Sequence, residues 1–233
     1  LGSRSGFDSV EECFEDLTSY IFALETGLSS DPTMNHQVSS LDKFTLISNL
    51  DTHSPSKLGR EVNIFSGNPG YVAIREGIRA GGLTGPAASV SGKTLGGPDV
   101  SVWNVPEEGA RGEGFIGTIE FFPEEGKYHL DGHRKCATRL RPEETERLKG
   151  HCPICGQPVT VGVMNRVIEL ADRRTGTPPE GAAPFWRMLP LVEIVAQTLG
   201  VGPQSKKVNA LYLDLLRKLG PELMILWEYP LDR

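Results

Sequence analysis

Three observations predict an α/β chain built of an alternating strand and helix domain, a compact Cys/His module and a helical tail. Short apolar runs near residues 20–24 and 44–47 flank a segment that opens with the helix-start pair Asp31-Pro32. Two pairs of metal-ligand residue types lie fifteen residues apart, between His133 and Cys155. Beyond residue 190 the apolar positions recur at helical spacing. With 233 residues the chain has room for more than one modest core beside such a module.

The elements run in order. Ser9 and Glu12 form a capping-box signature ahead of a short helix, and Tyr20 to Leu24 reads as a buried strand. Residues 32–41 suit the next helix, and Phe44 to Ile47 a second strand. Strand, helix, strand in succession favours a parallel sheet or barrel, whose chemistry sits at the C-terminal strand ends. Tyr71, Ile74 and Ile78 mark a helix that ends at Gly81-Gly82. From Gly82 to Gly114 the chain is rich in Gly, Pro, Ser and Thr, which predicts a disordered linker or insertion. Val163, Val167 and Leu170 form another helical stripe, followed by a Pro/Gly-rich connection from Thr175 to Pro184. Pro190 starts a helix carrying Leu191, Ile194, Val195 and Leu199 and closed by Gly200, and a longer one runs from a cap at Ser205 to Gly220. Met224 to Trp227 reads as a final strand. The expected units are thus 1–81, the linker 82–114, the Cys/His module 115–172 and the tail 173–233.

Composition narrows the function classes. A net charge of -6 excludes coating nucleic acid through bulk positive potential, so any such binding must use a local patch. No apolar run approaches the roughly 20 residues of a membrane helix. Three of the four Cys fall in one pattern and Cys13 has no evident partner, which predicts reduced thiols and a cytoplasmic setting. Opening without Met in loop-like residues, the chain reads as a piece of a longer one.

The pattern His133-x2-Cys136-x15-Cys152-x2-Cys155 predicts a structural zinc site. A two-residue gap lets both side chains of a tight turn reach one ion, and Gly156 supplies the positive φ such turns favour. Four protein ligands close the coordination sphere, so the ion would hold the fold rather than catalyse. His129 and His151 are nearby alternatives to His133. The polar, Pro/Gly-rich surroundings of Cys152 and Cys155 argue against ordinary core cysteines. Arg134, Lys135, Arg139 and Arg141 cluster on the same module, either as phosphate contacts or as a solvated face.

Asp51 and His53 directly follow the second strand. If the backbone stays extended, their spacing points both side chains to one side, as metal ligands at a barrel mouth require; a capping Asp and a surface His are the alternative. Here the residues resemble a known family. The stretch Phe44-Thr-Leu-Ile-Ser-Asn-Leu-Asp51-Thr-His53-Ser-Pro-Ser-Lys-Leu-Gly-Arg-Glu resembles the last metal-binding motif of PHP-type metallohydrolases, in the version of the endonuclease Q family. Two further stretches are similar to that family, from Ser5 through the Ala23-Leu-Glu-Thr-Gly-Leu-Ser-Ser-Asp-Pro run, and from Gly117-Thr-Ile-Glu-Phe-Phe to Cys155-Gly. The resemblance implies the C-terminal part of a distorted PHP-type β/α barrel, a zinc-binding domain and a C-terminal helical region. It implies a DNA repair endonuclease that nicks 5′ of deaminated bases such as uracil and hypoxanthine, or of abasic sites, acting on damaged duplex or single strands. Asp51 and His53 would be ligands of catalytic Mg²⁺, Mn²⁺ or Zn²⁺, and Lys57 and Arg60 candidates for gripping a DNA phosphate.

The chain departs from the family in places. Leu50-Asp51-Thr52-His53 stands where Ser-Asp-Ala-His is usual, and Met34-Asn35-His36-Gln37 where an Asn-Trp-Arg type of sequence is expected. The family's initial His-x-His motif is not in the sequence, so this piece is expected to lack most catalytic ligands and to be inactive alone. A non-catalytic, zinc-stabilised nucleic-acid-binding module and a PHP phosphoesterase acting on small molecules are the competing readings.

Overall fold

The computed structural model describes residues 6–67, 70–81, 114–174 and 176–228. Ser9 caps α1 (Val10–Phe14) by accepting from the Glu12 amide, while the Glu12 carboxylate accepts from Asp8 N at 2.9 Å. The next strand is shifted relative to expectation. Residues Glu15–Tyr20 wind into a 3-10 turn that leaves Tyr20 exposed, and β1 spans Ala23–Glu25. It pairs in parallel with β2 (Thr45–Ile47), Leu24 opposite Leu46.

Between them the expected helix over 32–41 is broken. α2 covers only Pro32–Asn35, capped by Asp31, and a separate 3-10 turn covers Ser39–Leu41. The cause is local competition: the Asn35 amide folds back onto Ser30 Oγ and the Asp31 carbonyl, and the Ser39 N–H donates to Asp172 at 2.8 Å. The break turns Val38 and Leu41 into a core with Val10 and Phe44.

The larger sheet has no clear signature in the sequence. β3 (Val62–Ser66) runs antiparallel to β4 (Gly114–Glu120), with a bulge between Ile64 and Phe65, and β4 pairs in parallel with β7 (Phe185–Arg187). Residues Phe115 through Glu120 are all buried. Such a continuously buried strand lacks the alternation that marks a half-exposed one. α3 (Tyr71–Ala80), closed by left-handed Gly81 as expected, lies against β4, and a Cβ on Gly77 would meet Phe115 N at 2.9 Å. Of the expected linker, residues 82–113 lie outside the described residues, and Gly114 already belongs to β4. Among the described residues the strands form sheets of two, three and two, and no closed barrel.

β5 (Asp131–His133) and β6 (Thr138–Leu140) form the Cys/His hairpin, followed by α4 (Pro142–Arg147) and α5 (Val163–Leu170). In the tail, α6 (Leu191–Leu199) ends at left-handed Gly200, and α7 (Lys206–Leu219) starts at the Ser205 cap, both as their stripes predict. Met224 to Trp227 is not a strand. It lies in α8 (Glu222–Glu228), because Glu222 accepts from Leu191 N at 2.7 Å and from Tyr212 Oη at 2.8 Å, and Ile225 and Leu226 pack onto the α6–α7 core. A four-residue apolar run does not by itself separate the two states. The Trp186 and Trp227 rings, 5.5 Å apart, tie this tail to β7. No described helix is long and apolar enough to cross a membrane.

Candidate functional site

At the Cys/His module two tight turns are brought face to face. His133 ends β5, and the 3-10 turn Arg134–Cys136 carries the second donor, with Ala137 left-handed at φ 51° before β6 begins. The other knuckle closes through Gly156 N donating to the Cys152 carbonyl at 2.9 Å and Cys152 N donating to the Gln157 carbonyl at 2.8 Å. Gly156 has φ 71°, the conformation its place after Cys155 predicts. The isolated bridge from Gly132 to Thr160 laces the knuckles to one hairpin.

The donor atoms of His133, Cys136, Cys152 and Cys155 all lie within 4.8 Å of one another, with His133 Nδ1 3.3 Å from both Cys136 Sγ and Cys155 Sγ. Donors around a tetrahedral zinc ion stand roughly 3.5–3.8 Å apart, so three thiols and one imidazole at this spacing can hold a metal ion and fit zinc. The alternatives are otherwise committed: His129 is buried with Nδ1 donating to the Ser29 carbonyl at 3.0 Å, and exposed His151 donates to the Lys149 carbonyl at 2.6 Å. Thr138 Oγ1 donates to Cys152 Sγ at 3.3 Å, which draws that thiol down to about 6. Cys136 is pushed up to about 11, chiefly by sharing a proton with Cys155. Thiols this close resist all ionising together unless a cation neutralises them. All four Cys are free, including exposed Cys13.

The Asp51 loop is built differently. β2 ends at Ile47, and the Asn63 amide clamps the next residue, accepting from Ser48 N at 2.9 Å and donating to the Ser48 carbonyl at 2.8 Å. The extended geometry is then lost: Asp51 is left-handed at φ 45°, and His53 Nδ1 donates to the Asp51 carbonyl at 3.0 Å. Both side chains are exposed, and among the described residues no third ligand joins them in a cluster. Lys57 ends the 3-10 turn Pro55–Lys57 and is exposed. Arg60, by contrast, is engaged. Its guanidinium pairs with Glu193 of α6 at 2.5 Å and covers the Phe121 ring at 4.8 Å, so it fastens the loop to the tail.

Two carboxylates behind this loop escaped the sequence reading. Glu120, at the end of β4, is fully buried and accepts from Thr118 Oγ1 at 2.5 Å, Thr26 Oγ1 at 2.9 Å and Ser48 Oγ at 3.1 Å. Burial outweighs these bonds and lifts its carboxyl to about 7. Burial, with the charges of Glu120 and Glu25, lifts Glu61 to about 8, and Glu61 Oε2 has no hydrogen-bond partner among the described residues. The signal was a charged residue closing an apolar run, Phe115-Ile-Gly-Thr-Ile-Glu, where a pure core strand would carry none. Asp31, also fully buried, caps α2 and pairs with Arg187 of β7.

Comparison with known proteins places this arrangement. Residues 190–233 match the family described as the MJ0043 C-terminal domain. The uncharacterized protein MJ0043 of Methanocaldococcus jannaschii is 28% identical over 228 residues, which is 97% of this chain and 25% of that protein. Among solved structures, the lesion-specific endonuclease PfuEndoQ from Pyrococcus furiosus is 30% identical with a TM-score of 0.74, covering 97% of this chain and 49% of that one. An endonuclease Q complex with a 27-mer duplex carrying an abasic lesion at its active site is 29% identical, with TM-score 0.74, 97% of this chain and 49% of its own covered. The chain thus spans about half the length of the solved chains and a quarter of the curated relative.

Proposed function

We propose that the chain belongs to the endonuclease Q family and forms the zinc-stabilised portion of a cytoplasmic, metal-dependent DNA endonuclease that nicks 5′ of deaminated bases or abasic sites. The observation that carries the reading is the likeness in both fold and sequence, across 97% of the chain, to a lesion-specific endonuclease. In this reading Asp51 and His53 are ligands of catalytic divalent ions, which when bound supply an activated water and neutralise charge on the phosphodiester. Lys57 is the cation placed to meet a DNA phosphate, since Arg60 is already paired with Glu193. His133, Cys136, Cys152 and Cys155 hold a structural zinc. We place the units at 1–81, 82–114, 115–172 and 173–233, with the catalytic metals completed by ligands beyond the two in the Asp51 loop.

Nicking assays test this. The full-length gene product, given Mg²⁺ or Mn²⁺ and duplexes with a single uracil, hypoxanthine or abasic site, is expected to cut on the 5′ side. Asp51→Ala should abolish that cutting. Intact lesion duplexes under every metal condition would overturn the reading. The exposed Asp51–His53 pair, with no third ligand among the described residues, supports one alternative, a DNA-binding module without catalysis. It predicts one zinc per chain and salt-sensitive DNA binding with no cleavage even in the full-length product.

A further inference from the structure

Tyr128 sits on the face of the zinc module, 57% exposed as a residue, yet the backbone beneath it is firmly held. Its carbonyl accepts from Val163 N at 2.8 Å. The next residue, buried His129, donates its own N–H to the Gly126 carbonyl at 3.1 Å and its ring to Ser29. The backbone under the ring is therefore held, and the residue keeps an exposed surface. Cations surround it: Lys127 Nζ lies 5.6 Å from the ring centroid, and the Arg134 guanidinium donates to Tyr128 Oη at 3.4 Å.

Arg134 and Lys135 are the two residues between His133 and Cys136, so the knuckle that gathers the metal donors also sets where these cations stand. Along residues 127–141 the cations are Lys127, Arg134, Lys135, Arg139 and Arg141, all exposed. The sole acid in that stretch, Asp131, is buried and accepts from Gly162 N and the Asn165 amide, at 2.5 Å each. Glu124 and Glu125 border the stripe; Arg139 donates to the Glu124 carbonyl at 2.8 Å. A chain of net charge -6 thus sets two cations, Lys127 and Arg134, against one exposed aromatic ring, with three more in the same stretch of sequence.

We propose that Tyr128 is a stacking platform for an unpaired nucleotide of bound DNA, with Arg134 and Lys135 contacting the phosphates on either side. The proposal rests on the reading of the chain as a DNA enzyme. Bases within a duplex stack on one another, so a ring offered face-on finds a partner only where a base is unpaired, swung out or at a strand end. The cations alone would suit any polyanion. The ring is what selects a nucleobase.

The test is fluorescence anisotropy with a labelled oligothymidylate of roughly 20 nucleotides, a matched duplex and polyglutamate as competitor, on the intact zinc-loaded chain. Tyr128→Ala should weaken single-strand binding about 5- to 100-fold, Tyr128→Trp should retain it, and polyglutamate should compete poorly. Lys135→Ala should lower the salt slope of single-strand binding by about 0.7 and so reports on the site even if Tyr128→Ala does not fold. Equal binding by wild type and Tyr128→Ala with zinc retained, or polyglutamate competing as well as the oligonucleotide, overturns the platform while leaving the endonuclease reading standing. Failure of the wild type to bind any DNA overturns both.

Discussion

Between His133 and Cys155 four donor atoms converge on a space that one ion can fill, whereas Asp51 and His53 stand exposed on a loop with no third described ligand. Both regions carry metal-ligand residue types, three thiols and an imidazole in one and a carboxylate and an imidazole in the other, and they differ in how far along the chain their parts lie. Each knuckle is a two-residue turn, and one hairpin with one bridge brings the pair together. A site at the mouth of a parallel sheet takes ligands from several strand ends, so one motif supplies only a fraction of it. The contrast predicts that the Cys/His region is needed for folding and the Asp51 loop for chemistry alone.

The largest effect should come from breaking the closed site. Cys152 is buried, and Cys152→Ser should remove the stoichiometric zinc and destabilise the protein by on the order of 4 kcal/mol, about 10 °C in Tm. Metal analysis and calorimetry check it, and an unchanged Tm would mean the module folds without its ion.

Next in size is the buried carboxylate pair beside the Asp51 loop. Glu120 and Glu61 have folded pKa values near 7 and 8, above the ordinary 4.5, so the folded state holds more protons than the unfolded state between those values. Their contribution is fully present below about pH 4.5 and is lost as pH rises through 7 to 8. Glu120→Gln should flatten the decline in stability measured by urea unfolding across that window. A wild-type curve that rises with pH there would contradict the assignment.

Smaller still is Arg60→Ala. It removes an ion pair whose side chains are 20% and 33% exposed, together with the cover over Phe121, and should cost about 1–2 kcal/mol of unfolding free energy, measured by denaturant titration. Glu193→Gln should recover part of that loss in the double variant, since it removes the charge left unpaired. The smallest effect belongs to the open loop. Asp51→Ala should shift stability by less than about 0.5 kcal/mol, because the side chain is exposed. A large loss there would make Asp51 a structural residue and erase the contrast between the two regions.

Legibility in the sequence divides along the same line. α1, α3, α5, α6 and α7 were legible because caps, left-handed glycines and 3.6-residue stripes are local signals. β4 was not, since a strand buried along its whole length has no alternation, and β3 and β7 are short and pair with it from far away in sequence. The α8 segment reads as a strand in sequence because the contacts that make it helical, Glu222 to Leu191 and Tyr212, come from other helices.

By itself the sequence determined the two Cys/His knuckles, their donor spacing and the amphipathic helices, because in each the interacting residues lie a few positions apart and local geometry suffices. Only the tertiary structure decided that His133 rather than His129 or His151 joins the three thiols, and that Arg60 faces Glu193 rather than solvent. It also decided that Glu61 and Glu120 are buried carboxyls behind the Asp51 loop. Each of these depends on burial and on partners brought from distant strands, and desolvation is a property of the packed molecule that no short stretch of residues carries.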